Sequence, residues 1–418
     1  MIAVDLVNRR FWAVAGVAVA VVAVGGLELG CTDKSVGGDR DAGTRDGALI
    51  PGCEVPQQQT VISVGNGPTV VWSLDVLPDG NYLVGVDQEG AGGAGAGLYV
   101  LDGQTLQRLS FVPVSHRTVM GRYDVYGDSI LAVGTTDDEV SLLWMSYADG
   151  AVSGVEDSTP LCSACEASWS LPAAGDPQDA SPLGLAVAVQ HSGLRGDEEL
   201  QVFLVDRWAP GVARGTARIP GKHPSLATGH WGYVLTYTAP SGRLATRLVR
   251  IEGSLSAERE LTVIPASGQP SASVTSRAET INAVVMGTDS EFQGTPSTGL
   301  VAWRLSVDPV EVGRLPYEEV PQSAGDFWLS AAHGLFAVTW TDTSHETVAG
   351  AWWLAARALA LQIVCGPVRV GGDLTFPATG QPIRTVSAAH PEGFVVIWSV
   401  AQGNAGDGLF GKIIPVTP

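Results

Sequence analysis

Short apolar runs, rich in β-branched and aromatic residues, alternate with turns of Gly, Pro, Asp and Ser from Thr60 to the end of the chain. Apolar runs of about four to eight residues between such turns are typical of β-strands, and helical periodicity is nearly absent. The pattern therefore predicts an all-β body. Ala349–Gln362 is rich in Ala and Leu and has helical propensity, but its position between the turns favours a strand.

The strongest apolar runs recur at intervals of 48 to 59 residues, and a second apolar run follows each of them. They are Asn81–Val86, Ser129–Gly134, Leu183–Val189, Trp231–Tyr237, Ile281–Gly287, Gly334–Trp340 and Gly393–Ser399. A repeat of about 50 residues fits one four-stranded blade of a β-propeller. The sequence predicts an all-β, seven-bladed β-propeller of antiparallel blades; six or eight blades, or a pair of sandwiches, are the alternatives.

The two ends of the repeat region complement each other. The last predicted blade has its two main strands but no outermost strand before Pro418. Thr60–Val64 precedes the first blade and belongs to no repeat. An N-terminal strand that completes the last blade removes two exposed sheet edges at once. We therefore predict that Thr60–Val64 closes the ring as the outermost strand of the last blade.

The first thirty residues have the pattern of a secretory signal. Arg9 and Arg10 precede the unbroken apolar and glycine run Phe11–Gly26, and Gly30-Cys31 follows. This run has 16 residues, fewer than the roughly 20 that a spanning helix needs; an uncleaved anchor helix is the alternative. Gly30-Cys31 resembles the lipobox of bacterial lipoproteins, although Glu28 and Leu29 replace its usual leucine and small residue.

That resemblance implies a signal peptide over residues 1–30 and a lipidated Cys31 that binds the lipid bilayer. Residues 31–59 are rich in Gly, Asp, Arg and Gln and predict a flexible tether with a reach of roughly 30 Å. Residues 60–418 would then form the propeller. We expect an extracytoplasmic protein, lipid-anchored to a bacterial membrane, with the outer membrane or the cell surface favoured.

The cysteine count fits an oxidising compartment. Five cysteines occur, and assigning Cys31 to lipid leaves an even number for disulfides: Cys53, Cys162, Cys165 and Cys365. The spacing of Cys162 and Cys165 favours a local disulfide, and by elimination Cys53 would pair with Cys365. Free or metal-binding thiols are the alternative, but no second CxxC and no His pair at ligand spacing accompanies them, so we predict no metal site.

The charge balance excludes one class of partner and suggests a binding face. With 43 acidic and 24 basic residues the net charge is −19, which argues against nucleic-acid binding. The loops between the two main strands of each blade hold 13 acids, opposed only by Arg195: Asp87, Glu89, Asp137, Asp138, Glu139, Asp197, Glu198, Glu199, Asp289, Glu291, Asp342, Glu346 and Asp407. Such a face could attract a cationic partner or hold Ca²⁺; solubility is the alternative explanation, and no other cofactor is predicted.

Two segments resemble known repeats. Gly97–Arg108 (GLYVLDGQTLQR) resembles the YVTN and quinoprotein-type propeller repeats, and Phe394–Ile414 resembles a repeat of secreted bacterial proteins. The layout of lipobox and propeller is similar to the propeller lipoprotein of the outer-membrane protein assembly machine. We favour the hypothesis of a non-catalytic binding or scaffold module that uses one loop face to bind a protein or glycan.

The alternative is a propeller-fold hydrolase or lyase with a carboxylate/His site at the central channel. Polar residues expected near such a channel are Asp75, Asp124, Arg277, Asp326 and Arg384. The sequence contains no HExxH, Gly-x-Ser-x-Gly or Walker motif. We therefore assign no catalytic residue from the sequence.

Overall fold

The structure is a computed structural model, and its described residues all belong to one compact unit, Gly47–Pro418. The described residues are 58, 60–63, 69–88, 96–116, 118–124, 129–136, 139–163, 165–166, 173–174, 185–192, 198–205, 213–229, 232–261, 272–277, 280–289, 297–304, 310–314, 324–332, 335–342, 347–354, 362–372, 380–402 and 408–415. The predicted signal peptide, Cys31, Cys53 and all of the tether but Gln58 lie outside them.

The described residues form 31 strands in seven antiparallel sheets. Sheet one has the strand order β2-β3-β4-β5, and β1 belongs to sheet seven. In sheet two the order is β10-β8-β7-β6, with β9 also on β8. The bounds are β1 Thr60–Ile62, β2 Thr69–Val76, β3 Tyr82–Gln88, β4 Ala96–Leu101, β5 Arg108–Val114, β6 Thr118–Asp124, β7 Ser129–Thr135, β8 Glu139–Ala148, β9 Ala151–Val152 and β10 Asp157–Ser163.

Sheet three differs from its neighbours because both of its outer positions are split. Strands β11 and β12 pair with the two ends of β13, and β15 and β16 pair with the two ends of β14. Sheet four has the order β17-β18-β19-β20. The bounds are β11 Cys165–Glu166, β12 Ala173–Ala174, β13 Leu185–Ser192, β14 Glu198–Val205, β15 Ala213–Gly215, β16 Ile219–Pro220, β17 Lys222–Gly229, β18 Gly232–Thr238, β19 Leu244–Arg250 and β20 Arg259–Glu260.

Sheets five and six have the orders β21-β22-β23-β24 and β25-β26-β27-β28, and sheet seven has the order β1-β31-β30-β29. The bounds are β21 Ala272–Arg277, β22 Thr280–Asp289, β23 Ser297–Arg304, β24 Val310–Arg314, β25 Ala324–Ala332, β26 Leu335–Asp342, β27 Thr347–Leu354, β28 Gln362–Gly372, β29 Gly380–His390, β30 Gly393–Gln402 and β31 Gly408–Pro415. The strand prediction for the Ala/Leu-rich segment is confirmed over Ala349–Leu354, which lies in β27.

Turn residues explain where strands stop. Between β2 and β3, Gly80 adopts a φ of +84°, a conformation that glycine reaches without a Cβ clash, and its N–H donates to the carbonyl of Leu77 at 2.9 Å. After β4, Asp102 Oδ1 accepts N–H bonds from Gln104 at 3.1 Å and Thr105 at 2.7 Å. This turn, which lies within the propeller-like repeat Gly97–Arg108, is therefore closed by an aspartate side chain.

Two middle strands, β4 of sheet one and β18 of sheet four, are buried on both faces. All six residues of β4 are buried, as are all seven residues of β18. One apolar cluster joins sheets one and two, and others join sheets two and three, sheets three and four, and sheets seven and one. Burial on both faces explains why these strands are continuous apolar runs and do not alternate between apolar and polar residues.

The first strands of the sheets contact one another in sequence. The contacts run from β2 to β6, β12, β17, β21, β25 and β29, and β29 in turn contacts β2. Ser73 Oγ in β2 accepts the N–H of Gly121 in β6 at 3.1 Å, and the hydroxyls of Ser330 in β25 and Ser387 in β29 lie 2.8 Å apart. Polar side chains on the first strands therefore link neighbouring sheets.

Strand β1 pairs with β31 and joins the N-terminal part of the described chain to its C-terminal part. The register places Val61 opposite Phe410 and Ile62 opposite Leu409. The side chain of Ile62 is 1% exposed and lies in the apolar cluster between sheets seven and one, whereas Val61 is 62% exposed. The observed strand is shorter than the predicted Thr60–Val64. None of the described residues forms a helix long and apolar enough to cross a bilayer.

Candidate functional site

Two cysteines and a histidine meet where the chain passes from sheet two to sheet three. Cys162 lies near the end of β10, and Cys165 begins β11, three residues later. Strand β11 is antiparallel to β13 and places Cys165 directly opposite His191. Because opposed residues of an antiparallel pair bring their Cβ atoms within about 5 Å, this register directs the imidazole to the cysteine pair.

The donor atoms of these three residues form one compact group. Cys162 and Cys165 are joined by a disulfide, with their Cα atoms 6.0 Å apart. His191 Nδ1 lies 3.4 Å from Cys162 Sγ and 3.6 Å from Cys165 Sγ. The ligand atoms of Cys162, Cys165 and His191 all lie within 4.8 Å of one another. Within the described part of the chain, these three side chains form a group that could hold a metal ion.

Gln201 fixes the orientation of the imidazole. Its side-chain Nε2 donates to the carbonyl of Thr216 at 2.9 Å, so its Oε1 faces His191 Nε2 at 3.1 Å. An amide oxygen only accepts hydrogen bonds. His191 Nε2 therefore carries the ring proton, and Nδ1 directs its lone pair to the two sulfur atoms.

Burial favours the neutral form of the His191 imidazole by lowering its pKa. The residue is 7% exposed, and desolvation is the main cause that lowers the pKa of its imidazole, with the positive charge of Arg218 as a second cause. The hydrogen bond to Gln201 and the charge of Glu199 oppose this shift of the pKa. Arg218 and Glu199 also pair with each other at 3.4 Å. Cys165 is buried, but Cys162 is only partly buried and gives the cluster access to solvent.

The predicted acidic loop face is only partly described, and it differs from the prediction where it is described. Six of its acids lie at strand ends and not in loops, because the hairpin ladders extend further than the apolar runs: Asp87, Glu139, Glu198, Glu199, Asp289 and Asp342. Seven acids lie outside the described residues: Glu89, Asp137, Asp138, Asp197, Glu291, Glu346 and Asp407.

The local charge on sheet three is balanced. Glu198 pairs with Lys222 at 3.8 Å, in addition to the pair between Glu199 and Arg218. Asp87 is 7% exposed and so does not contribute to a solvent-facing surface. The two cations lie in and near β16 and β17, beyond the loop segments of the prediction, so a count confined to those loops misses them.

Two of the residues expected near a central channel have structural partners. Asp75 Oδ2 accepts the backbone N–H of Tyr123 at 2.8 Å, which ties β2 to β6. The guanidinium carbon of Arg384 lies 4.2 Å from the centroid of the Trp72 ring, a cation–π contact between β29 and β2. Asp124, Arg277 and Asp326 lie in β6, β21 and β25, respectively.

Comparisons with known proteins identify the fold but no family. No family model matches the chain, and no curated protein matches it. Among solved structures, the chain is similar to the Dos1 propeller, with 11% identity and a TM-score of 0.51 over 85% of this chain and 95% of that one. It is also similar to hydrazine synthase from Kuenenia stuttgartiensis, with 11% identity and a TM-score of 0.50 over 84% and 99%.

A third similar structure is Sqt1 from Chaetomium thermophilum bound to the N-terminus of the ribosomal protein L10. Its identity is 13% and its TM-score 0.43, over 80% of this chain and 86% of that one. These proteins differ in function, and a fold alone does not determine a function. The antiparallel sheets and the first two similarities identify the protein as an all-β protein with a β-propeller fold.

Proposed function

We propose that the protein is an extracytoplasmic, membrane-tethered scaffold: a closed seven-bladed propeller on a lipid anchor at Cys31 that binds a protein or glycan without catalysing a reaction. In this proposal residues 1–30 are a signal peptide, 31–59 a tether and 60–418 the propeller. The observation that supports a scaffold without catalysis is that polar side chains of the first strands are engaged in hydrogen bonds to neighbouring strands. Asp75, Ser73 and Ser330 bond to neighbouring first strands, which makes them part of the frame.

Closure of the ring is supported by two sets of contacts. The first strands contact one another from β2 round to β29, and β29 contacts β2. Strand β1 adds the edge strand of sheet seven through its pairing with β31. A propeller whose last blade contains both ends of the domain has no unpaired strand edge at the seam.

The extracytoplasmic location is supported by the disulfide between Cys162 and Cys165, because structural disulfides persist in oxidising compartments. A second disulfide between Cys53 and Cys365 remains part of the proposal. Of the acids of the predicted loop face, those outside sheet three other than the buried Asp87, including Asp137 and Asp138, are the proposed contact region for the partner, with Ca²⁺ as a candidate bridging cation.

Cell fractionation of a Cys31→Ala variant tests the anchor. We expect the wild type in the membrane fraction and labelled by a radioactive fatty acid, and the variant in the soluble extracytoplasmic fraction without label, because the lipid is the sole attachment. Cys53→Ala is the matched control, since it removes a cysteine from the same tether and should leave the protein in the membrane.

Cross-linking of intact cells in the same experiment tests the binding function. A discrete adduct should form with the wild type and be reduced at least about tenfold by the combined change Asp137→Asn, Asp138→Asn and Glu139→Gln, which a loss of about 1.4 kcal/mol would produce. In the fractionation experiment, a wild type that carries no radioactive fatty acid would disprove the lipid anchor. An adduct that the triple variant leaves unchanged would disprove the acidic contact region.

A further inference from the structure

In the cysteine–histidine cluster, the distances from the histidine nitrogen to the two sulfurs match those between the ligands of a metal ion. A tetrahedral Zn²⁺ has bonds of about 2.3 Å to sulfur and about 2.0–2.1 Å to nitrogen, which places neighbouring sulfur and nitrogen ligands about 3.6 Å apart. In the structure His191 Nδ1 lies 3.4 and 3.6 Å from the two Sγ atoms. The nitrogen is therefore already at ligand distance from both sulfurs while the disulfide is intact.

The hydrogen bond on the far side of the His191 ring matches what a metal-binding histidine requires. Histidine ligands usually hold their other ring nitrogen in a hydrogen bond that fixes the tautomer, and here Gln201 Oε1 accepts from His191 Nε2 at 3.1 Å. Gln201 is in turn held by the carbonyl of Thr216 at 2.9 Å. Thr216 is anchored to β14, because its N–H donates to the carbonyl of Val202 at 2.8 Å.

The two cysteines differ in burial: Cys165 is held in the apolar core, whereas Cys162 is accessible to solvent. Cys165 is 5% exposed and packs in the apolar cluster between sheets two and three, with Leu161 and Val187. Cys162 is partly exposed and can be reached by a reductant and by an ion. Three protein ligands with one open side correspond to a zinc site that keeps a fourth position for water or a substrate.

We propose that reduction of the Cys162–Cys165 disulfide converts this cluster into a Zn²⁺ site whose ligands are Cys162 Sγ, Cys165 Sγ and His191 Nδ1. A dithiol supplies two electrons and two protons, which cleave the Sγ–Sγ bond to two thiols while the dithiol becomes a disulfide. Zn²⁺ then binds both sulfurs as thiolates and releases two protons. This assignment goes beyond the scaffold function and does not depend on it.

Cobalt absorption of the full-length protein in detergent tests the site. The protein is reduced with a phosphine, its thiols are counted, and Co²⁺ is added with oxygen excluded. We expect a thiolate-to-cobalt charge-transfer band that saturates at one equivalent and disappears when Zn²⁺ displaces Co²⁺. The unreduced wild type should give no band, a comparison that needs no substitution.

Matched variants assign the ligands. The Cys162→Ser/Cys165→Ser variant should lose the band, whereas Cys53→Ser/Cys365→Ser and His116→Ala should keep it. Gln201→Leu should keep the band and bind Zn²⁺ about 10- to 100-fold more weakly, because Gln201 is a positioning residue. A reduced wild type with free thiols and no band, or an equal band in the Cys162/Cys165 variant, would overturn the site. Unchanged Zn²⁺ affinity in both Gln201→Leu and His191→Ala would overturn the assignment of His191.

Discussion

Replacing Ile62 with Ala is expected to destabilise the whole domain, although the residue lies in a strand of three residues at the N-terminal edge. Its side chain is 1% exposed and packs in one cluster with Leu106 and Leu409. Removing a buried isoleucine side chain down to alanine costs about 2–5 kcal/mol through lost burial and the cavity left behind. The urea midpoint, followed by tryptophan fluorescence, should therefore fall clearly.

Val61→Ala is the matched control for this prediction. Val61 is the preceding residue of β1, also β-branched and aliphatic, but it is 62% exposed. A surface substitution of this kind changes the unfolding free energy by about 0.5 kcal/mol or less. Equal and small effects of the two variants would mean that β1 does not pack between sheets seven and one.

Gly85→Ala should produce the second large loss of stability, at the junction of sheets one and two. Gly85 lies in β3, and a Cβ there would overlap the backbone carbonyl of Val119 and the hydroxyl of Ser73. A backbone atom of a neighbouring strand cannot move aside without shifting the sheet, so we expect a cost of about 1–3 kcal/mol. Chemical denaturation of the purified variant measures it.

The control for Gly85→Ala is Gly154→Ala, in the turn before β10. A Cβ at Gly154 meets no atom within 4 Å. Where the backbone conformation suits alanine, this exchange stabilises by about 0.4–1 kcal/mol because it restricts the unfolded chain. If Gly85→Ala were as harmless as its control, the close approach of the two sheets would be refuted.

The strand content and strand order could be predicted from the sequence because burial on both faces leaves a strong local signal. Strands such as β4 and β18 are buried along their whole length, so their sequences are continuous apolar runs between turns. The N-terminal strand was predictable for a different reason. Thr60–Val64 has strand character but no place in the repeat, and the last sheet lacks one strand without it.

The candidate site was only half predictable. The CxxC spacing identifies Cys162 and Cys165, but His191 follows 26 residues after Cys165 and has no ligand spacing to either cysteine. It reaches them through the register of β11 on β13, which depends on where each strand begins. The cations that pair with Glu198 and Glu199 were not predictable for a related reason, since Lys222 and Arg218 reach them across strands of sheet three and its junction with sheet four.

The polar groups of the first strands illustrate a further limit of sequence reasoning. Asp75 is a reasonable candidate for a channel carboxylate by position alone, but its oxygen is hydrogen-bonded to the backbone of β6. Arg384 similarly stacks on Trp72 of β2. A sequence gives the residue type and its strand, whereas the partner depends on how neighbouring sheets are set against each other.

Hydrogen exchange measured by mass spectrometry tests the proposed closure of the ring by β1 most directly. If β1 completes sheet seven, the peptide with Thr60–Ile62 should be protected like the peptide with Gly408–Pro415, and both should exchange only when the domain unfolds. Exchange of the Thr60–Ile62 amides at the rate of a free chain, while Gly408–Pro415 stays protected, would contradict the closure.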